Sequence, residues 1–428
     1  MIYYLTYFLL IFSTLFQALD IFSILGVYGR CFSGIFGIIV FLVLFFTGKI
    51  HDIGKMKKIW IFPVSLILCS IFFIVIYGPQ YNVFEDNIVL KSIKGCIIIL
   101  SIVLYIFDIV FLLKHINKQK MYKPFLYCYV FLFLVLLIEI NNPTILETLH
   151  FRYSTNTTRI RLLTSESSNT GSLIFIYYLL SLMYLKESKN VYKKIFSIIL
   201  ITIILLFQIY YTSSKGFYLA LVISLFLFII FKKRMKIKMK LFYLSIYILF
   251  LFYSYSVLLE LFISDIDNYT SMITRSYTIY CSILVAIKYP FGCGGAMYSL
   301  FLQRMMLAHV ETFSSVFSEF NYSEIYNIIN ANSDTYVTVK SGLFELFLYI
   351  GVFGALFLLI NYVKLLKSIN KYNQNNIMFL CALFIPVILT IVAFELKYEI
   401  YTVIGIFIFL LMHKENKNDN IKRKLLIN

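Results

Sequence analysis

The chain alternates long apolar runs with short basic loops, and this alternation constrains its fold more than any other feature. Runs suited to crossing a bilayer occur at roughly 2–18, 31–47, 59–77, 94–113, 124–140, 171–185, 195–211, 216–231, 241–258, 341–363, 377–393 and 400–412. Six connecting segments, at 48–58, 114–123, 186–194, 232–240, 364–376 and 413–428, hold 26 of the 38 Lys and Arg residues. In a chain that crosses twelve times, all six fall on one side. Basic loops mark the cytoplasmic side, so both termini are expected there. A miscounted span would have scattered the basic loops over both sides.

The expected fold is an all-α integral membrane protein of about twelve transmembrane helices, one polytopic unit over 1–428. Composition agrees, with 61% hydrophobic and 14% charged residues. A water-soluble protein of this length could not cover that much apolar side chain. The net charge of +17 would suit a nucleic-acid binder, but the charge is spread through loops between apolar runs and follows topology instead. No nucleic acid is expected as a partner; membrane lipids are. The seven cysteines are scattered without a CxxC or Cys/His cluster, so neither a disulfide framework nor a metal site is expected. The first run lacks a basic leader and a small-residue cleavage site, so it reads as a retained helix.

The opposite, extracytoplasmic face has three polar segments: 141–170, 212–216 and a large loop at 259–340. A loop of that length is usually functional. Its stretch Tyr298–Ile329 mixes apolar residues with Gln303, Arg304, Glu311, Glu319 and Glu324, a pattern of amphipathic helices lying on the membrane surface. No part of it reads as a soluble domain with its own core. Arg30, Lys91, Lys94 and Lys397 sit near span ends, where long cationic side chains snorkel to the interface.

Four motifs place other cations on this face against the topology rule. Arg159 and Arg161 precede Glu166 and Asn169 at a helix start, where free N–H groups attract anions and arginines grip phosphate in bidentate fashion. A capped helix with arginines on lipid headgroups is the plainer reading. Lys215 lies in Thr212-Ser-Ser-Lys-Gly216 between two spans, as a site or as a snorkelling helix end. Arg275 runs up to Tyr289-Pro-Phe-Gly-Cys-Gly-Gly295, whose Gly292 and Gly294 could expose N–H groups as an anion nest. Lys340 follows Asp334 and precedes Glu345 and Gly351-Val-Phe-Gly354. Glu345 reads equally as an intramembrane carboxylate paired with a cation.

Taken in order, these motifs resemble the O-antigen polymerase and O-antigen ligase superfamily of bacterial envelope enzymes. The resemblance spans roughly 150–360. It places Arg161–Asn169, Ser214-Lys215-Gly216 (with Lys in place of the usual Arg), Arg275–Gly294 and Lys340–Gly354 on the family's motifs. Where the ligases carry a His proposed as base, this chain has Lys340, which favours a polymerase.

The resemblance implies a GT-C-like membrane glycosyltransferase of the bacterial inner membrane that needs no metal or other cofactor. Its substrate would be an undecaprenyl-diphosphate-linked oligosaccharide, and a chain-length regulator could be a partner. Arg159, Arg161, Lys215, Arg275 and Lys340, with Gly292 and Gly294, would hold the diphosphate. Arg275 would stabilise the leaving group, and Glu166 or Asp334 would take the proton. Two readings stay open beside the polymerase: a ligase moving finished glycan to a lipid acceptor, and a flippase for the same lipid-linked sugar. A flippase expects mid-membrane charges and related halves, whereas the motif charges here gather at one face.

Overall fold

A computed structural model describes residues 1–17, 31–48, 57–142, 160–164, 167–187, 190–212, 214–232, 237–245, 247–248, 251–252, 271–332, 337–372, 376–392 and 397–427. The described chain is helical apart from one small hairpin. The helices are α1 (Ile2–Ser13), α2 (Phe32–Phe46), α3 (Lys57–Tyr77), α4 (Ile88–Lys114), α5 (Lys123–Asn141), α6 (Ser167–Lys186), α7 (Val191–Thr212) and α8 (Lys215–Phe231), followed by α9 (Ser271–Lys288), α10 (Gly294–Val316), α11 (Ser323–Ile329), α12 (Gly342–Tyr372), α13 (Asn376–Leu389) and α14 (Tyr398–Ile427). Among the described residues five helical segments are long and apolar enough to cross a membrane, within α3, α4, α5, α7 and α12, and α1, α2, α8, α13 and the first part of α14 are shorter apolar helices. These, with α6, coincide with eleven of the expected spans. The remaining one, at 241–258, lies partly outside the described residues and is helical at 237–245.

Contacts sort the helix ends into two groups, as alternating spans require. At one end Tyr3 stacks on His115 with ring centroids 4.6 Å apart, Tyr7 donates to the Met121 carbonyl at 3.1 Å, and Asn370 donates to the Phe231 carbonyl at 3.1 Å. Lys232 there lies 5.2 Å over the Phe379 ring. These residues flank the basic loops. At the other end Gln17, Leu163, Ser172 and Glu399 meet, as do Arg275, Gly342 and the Ile391–Val392 turn.

The 259–340 segment departs from the expected picture. Instead of helices lying loosely on a surface, α9, α10 and α11 pack on α3, α4 and α12. They build a second apolar core from Ile273, Tyr277, Met297, Phe301, Ile325 and Val339, completed by Phe73 of α3, Ile88 of α4 and Leu348 of α12. The docking depends on Gly95 of α4 and Gly295 of α10. A Cβ on Gly95 would come 2.7 Å from the Gly295 carbonyl oxygen, so only glycine lets the two backbones cross this closely.

A two-residue-a-side antiparallel hairpin (β1 Asn82–Val83, β2 Asp86–Asn87) joins α3 to α4 beside α10. Asn87 caps α4, its Oδ1 accepting the Leu90 N–H at 2.8 Å. Two cations read from sequence as snorkelling are engaged here: Lys94 pairs with Asp86 at 2.6 Å, and Lys91 lies 4.6 Å over the Phe84 ring. Lys397 is not at an interface with water either, being 1% exposed.

Candidate functional site

The Ile391–Val392 turn after α13 is the point at which three of the four motifs meet. Arg275, in the second turn of α9, donates through Nη1 to the Ile391 carbonyl. The Gly342 N–H, two residues after Lys340, donates to the Val392 carbonyl at 2.8 Å. The Ile391 side chain covers Gly216, where a Cβ would sit 2.6 Å from its Cγ2. Gly216 follows Lys215 at the start of α8, a helix capped by Ser214, whose Oγ accepts the Phe217 N–H at 3.4 Å. The backbone of Lys215 is thus placed; its side chain lies outside the described residues.

The first motif reaches this centre through Phe217, whose ring lies against Gly171 in α6. Arg161 stands in the strand of chain before α6, and its carbonyl accepts from Thr164 Oγ1 at 3.0 Å and Thr170 Oγ1 at 2.7 Å. On its other side Glu139, near the end of α5, accepts the N–H of Arg161 at 2.9 Å and of Leu162 at 2.8 Å. Leu162 has φ +52 and is fully buried, a conformation leucine adopts only when the surroundings impose it. The carboxylate and the two threonines therefore fix the backbone that carries the Arg161 side chain. Arg159 and Glu166 lie outside the described residues, as does Asp334.

Lys340 is half-buried and forms an ion pair with Glu324 at the start of α11. The second Glu324 oxygen accepts from Thr274 Oγ1 at 2.8 Å, one residue before Arg275. Glu324 and Lys340 retain 29% and 34% side-chain exposure, enough to meet a substrate. Glu345 is buried in the first turn of α12, its N–H bonded to the Ser341 carbonyl at 2.9 Å.

The glycine turn expected as an anion nest makes hydrogen bonds to protein at three of its N–H groups. Gly292 N–H donates to Tyr289, Cys293 N–H to Leu348, and Gly295 N–H to Ser70 Oγ, at 2.9, 2.8 and 2.9 Å. The N–H groups of Gly292, Cys293 and Gly295 are thus committed to protein, and Gly294 (φ +67) lies against Ser70 of α3. The turn seats itself in a break of α12 at Gly351 (φ +68), whose missing side chain admits the Pro290 carbonyl and the Gly292 N–H.

Three carboxylates went unnoticed as site residues in the sequence. Glu324 reads there as part of an amphipathic face. Glu139 and Glu399 each interrupt an apolar run near its outer end, a signal for function inside a membrane protein. Glu399 is fully buried and accepts from Gln17 Nε2 at 3.1 Å and Ser172 Oγ at 3.2 Å, tying α1, α6 and α14 together behind Arg161.

Residues 200–359 match the family model described as O-antigen ligase. The chain is also similar to an uncharacterised 49.5 kDa protein in the cps region of Klebsiella pneumoniae, with 25% identity over 241 residues. That alignment covers 56% of this chain and 53% of the relative, so the chain spans about half the length of the curated protein it matches. No solved structure matches.

Proposed function

With an O-antigen ligase family domain at residues 200–359 as premise, we propose that this multi-pass membrane protein polymerises lipid-diphosphate-linked oligosaccharide repeat units on the outer face of the bacterial inner membrane. Both termini are then cytoplasmic. The observation that carries the reading is the meeting of Arg275, the Lys340–Gly342 segment and the Lys215–Gly216 helix start at one turn. Members of the family transfer glycans from lipid carriers, and that chemistry requires positive charge at the departing diphosphate.

In the proposed reaction a hydroxyl oxygen of one repeat unit attacks the anomeric carbon of another. The bond from that carbon to the diphosphate oxygen breaks, and the electron pair leaves with the diphosphate. Arg161, Lys215, Arg275 and Lys340, with Arg159, stabilise the charge that develops there. The hydroxyl proton passes to a carboxylate. Glu166 and Asp334 are the bases that the motifs suggest, and Glu324, in contact with Lys340, joins them. Side chains held in a water-poor site act more strongly on charge than in bulk solvent. A chain-length regulator and the membrane lipids are the further partners of this reading.

The family description favours one alternative, transfer of finished glycan to a lipid acceptor. A gel profile of surface polysaccharide from a deletion strain separates the two, with complementation by the intact gene and by Arg275→Ala. Single-repeat glycan rescued only by the intact gene is the expected result. Long polymer retained on the lipid carrier would identify a ligase. Lipid-linked units held in the cytoplasmic leaflet would mean a flippase, and normal chain lengths with Arg275→Ala would remove Arg275 from the site.

A further inference from the structure

A cavity of about 620 Å³ opens beside the β1–β2 hairpin, lined by Phe84, Glu85, Gln303, Asn330 and Asn332 together with apolar side chains. Its volume is that of a small-molecule site. We infer that this groove binds the neutral sugar portion of the substrate, one or two residues away from the diphosphate. The inference rests on the glycosyl-transfer reading above.

Three features show that the groove is built. The first is its floor. Gln303 of α10 directs Nε2 at the carbonyls of Ile328, Ile329 and Ala331, at 3.3, 2.9 and 2.8 Å. These are carbonyls at and just beyond the end of α11, which have no partner within the helix. The amide thereby locks the end of α11 against α10 and orients the side chain that lines the cavity.

The second feature is Phe84. It occupies the hairpin turn with φ +59, a left-handed conformation that is costly for a bulky residue. Glycine or asparagine would form the turn without this cost. The hairpin is anchored by the Lys94–Asp86 pair, and Lys91 lies over the Phe84 ring. The result is an aromatic side chain held at the edge of a polar cavity, where a pyranose can lay its C–H face against the ring.

The third feature is charge. Among the described residues the lining has two asparagines, a glutamine and one carboxylate, Glu85, and no Lys or Arg. Amides pair with sugar hydroxyls and N-acetyl groups as both donors and acceptors, while a carboxylate in the lining disfavours phosphate. A neutral oligosaccharide fits this lining and a diphosphate does not. The distance also fits. Asn330 lies six residues along α11 from Glu324, roughly 9 Å at the helical rise, comparable to about two pyranose rings. A substrate with its diphosphate among the cations can therefore place its sugars in the groove.

The test uses the full chain in lipid nanodiscs and oligosaccharides made by partial acid hydrolysis of the host strain's own surface polysaccharide. Binding is followed by titration calorimetry. Wild type is expected to bind, and excess inorganic pyrophosphate should not displace the sugar. Phe84→Gly, which keeps the turn relaxed but removes the ring, and the pair Asn330→Ala with Asn332→Ala should each weaken binding by roughly tenfold, the scale of one or two lost contacts. Phe84→Tyr should retain it. Absence of binding by wild type, unchanged binding in both groove variants, or displacement by pyrophosphate would each overturn the assignment. An unaltered polysaccharide profile in the deletion strain would instead defeat the proposed function, whatever the calorimetry shows.

Discussion

Glu139 offers the sharpest test of how the Arg161 segment is held. Its carboxylate is 8% exposed and accepts two backbone N–H groups, of Arg161 at 2.9 Å and Leu162 at 2.8 Å. In Glu139→Ala both donors lose this acceptor at once. A buried donor left unsatisfied costs about 1–3 kcal/mol, so the pair costs about 2–6 kcal/mol before water reaches either. The left-handed backbone at Leu162 adds to the tendency of the loop to leave its position, since the carboxylate no longer opposes it. Even the low end of that range, about 2 kcal/mol, lowers the equilibrium constant for the correct loop by roughly 30-fold, and its population by as much once the displaced loop predominates.

The membrane helices keep their own apolar contacts when the loop is displaced, so the loss should fall on turnover more than on global stability, although Ile160, Leu162 and Leu163 of the loop belong to the main core. Glu139→Gln keeps one acceptor oxygen but turns an amide N–H₂ toward the other donor, and should lie between wild type and Glu139→Ala. The assay is polymer formation by purified protein in proteoliposomes on lipid-linked repeat units, with thermal unfolding in detergent measured alongside. The expected result is a turnover reduced by roughly 30-fold or more in Glu139→Ala at a nearly unchanged Tm. A Glu139→Ala enzyme within about twofold of wild type would refute the argument that these two hydrogen bonds position Arg161.

Two other predictions concern the frame. Gly95→Val should lower the unfolding temperature by an overpacking cost of about 1–3 kcal/mol, with Gly95→Ala milder, because a Cβ there meets the Gly295 backbone at 2.7 Å; an unshifted Tm would mean that α4 and α10 do not cross this closely. Cysteine at Glu85→Cys should react with a membrane-impermeant maleimide in spheroplasts, above the wild-type background, while Lys118→Cys should react only after lysis. The opposite labelling pattern would invert the topology.

Much of the frame is legible in the sequence because hydropathy and loop charge act locally. Each apolar run must cover its own backbone with helix, and each basic loop resists translocation wherever it occurs. Eleven of the expected spans coincide with described helices, five of them long and apolar enough to cross a membrane. The order of the four motifs also pointed to one face. Other features were not legible. The second core under 259–340 depends on Gly95 meeting Gly295, two residues 200 positions apart whose contact no local pattern encodes. The Gly292–Gly295 turn looks like a phosphate nest because glycine in a turn signals exposed N–H groups, but the partners of the Gly292, Cys293 and Gly295 N–H groups come from the turn itself, α12 and α3.

Hydropathy and loop charge place the chain in a bilayer and lead one to expect that the basic loops share a side and the motif cations the opposite face. Only the tertiary structure decided which carboxylates meet those cations. Glu324 reaches Lys340 and Thr274 because α11 folds back against α9 and α10, and Glu139 reaches Arg161 because α5 and α6 pack side by side. Partition into a membrane is summed residue by residue along the chain, whereas a hydrogen bond requires two atoms within about 3 Å, a distance that only long-range packing can set.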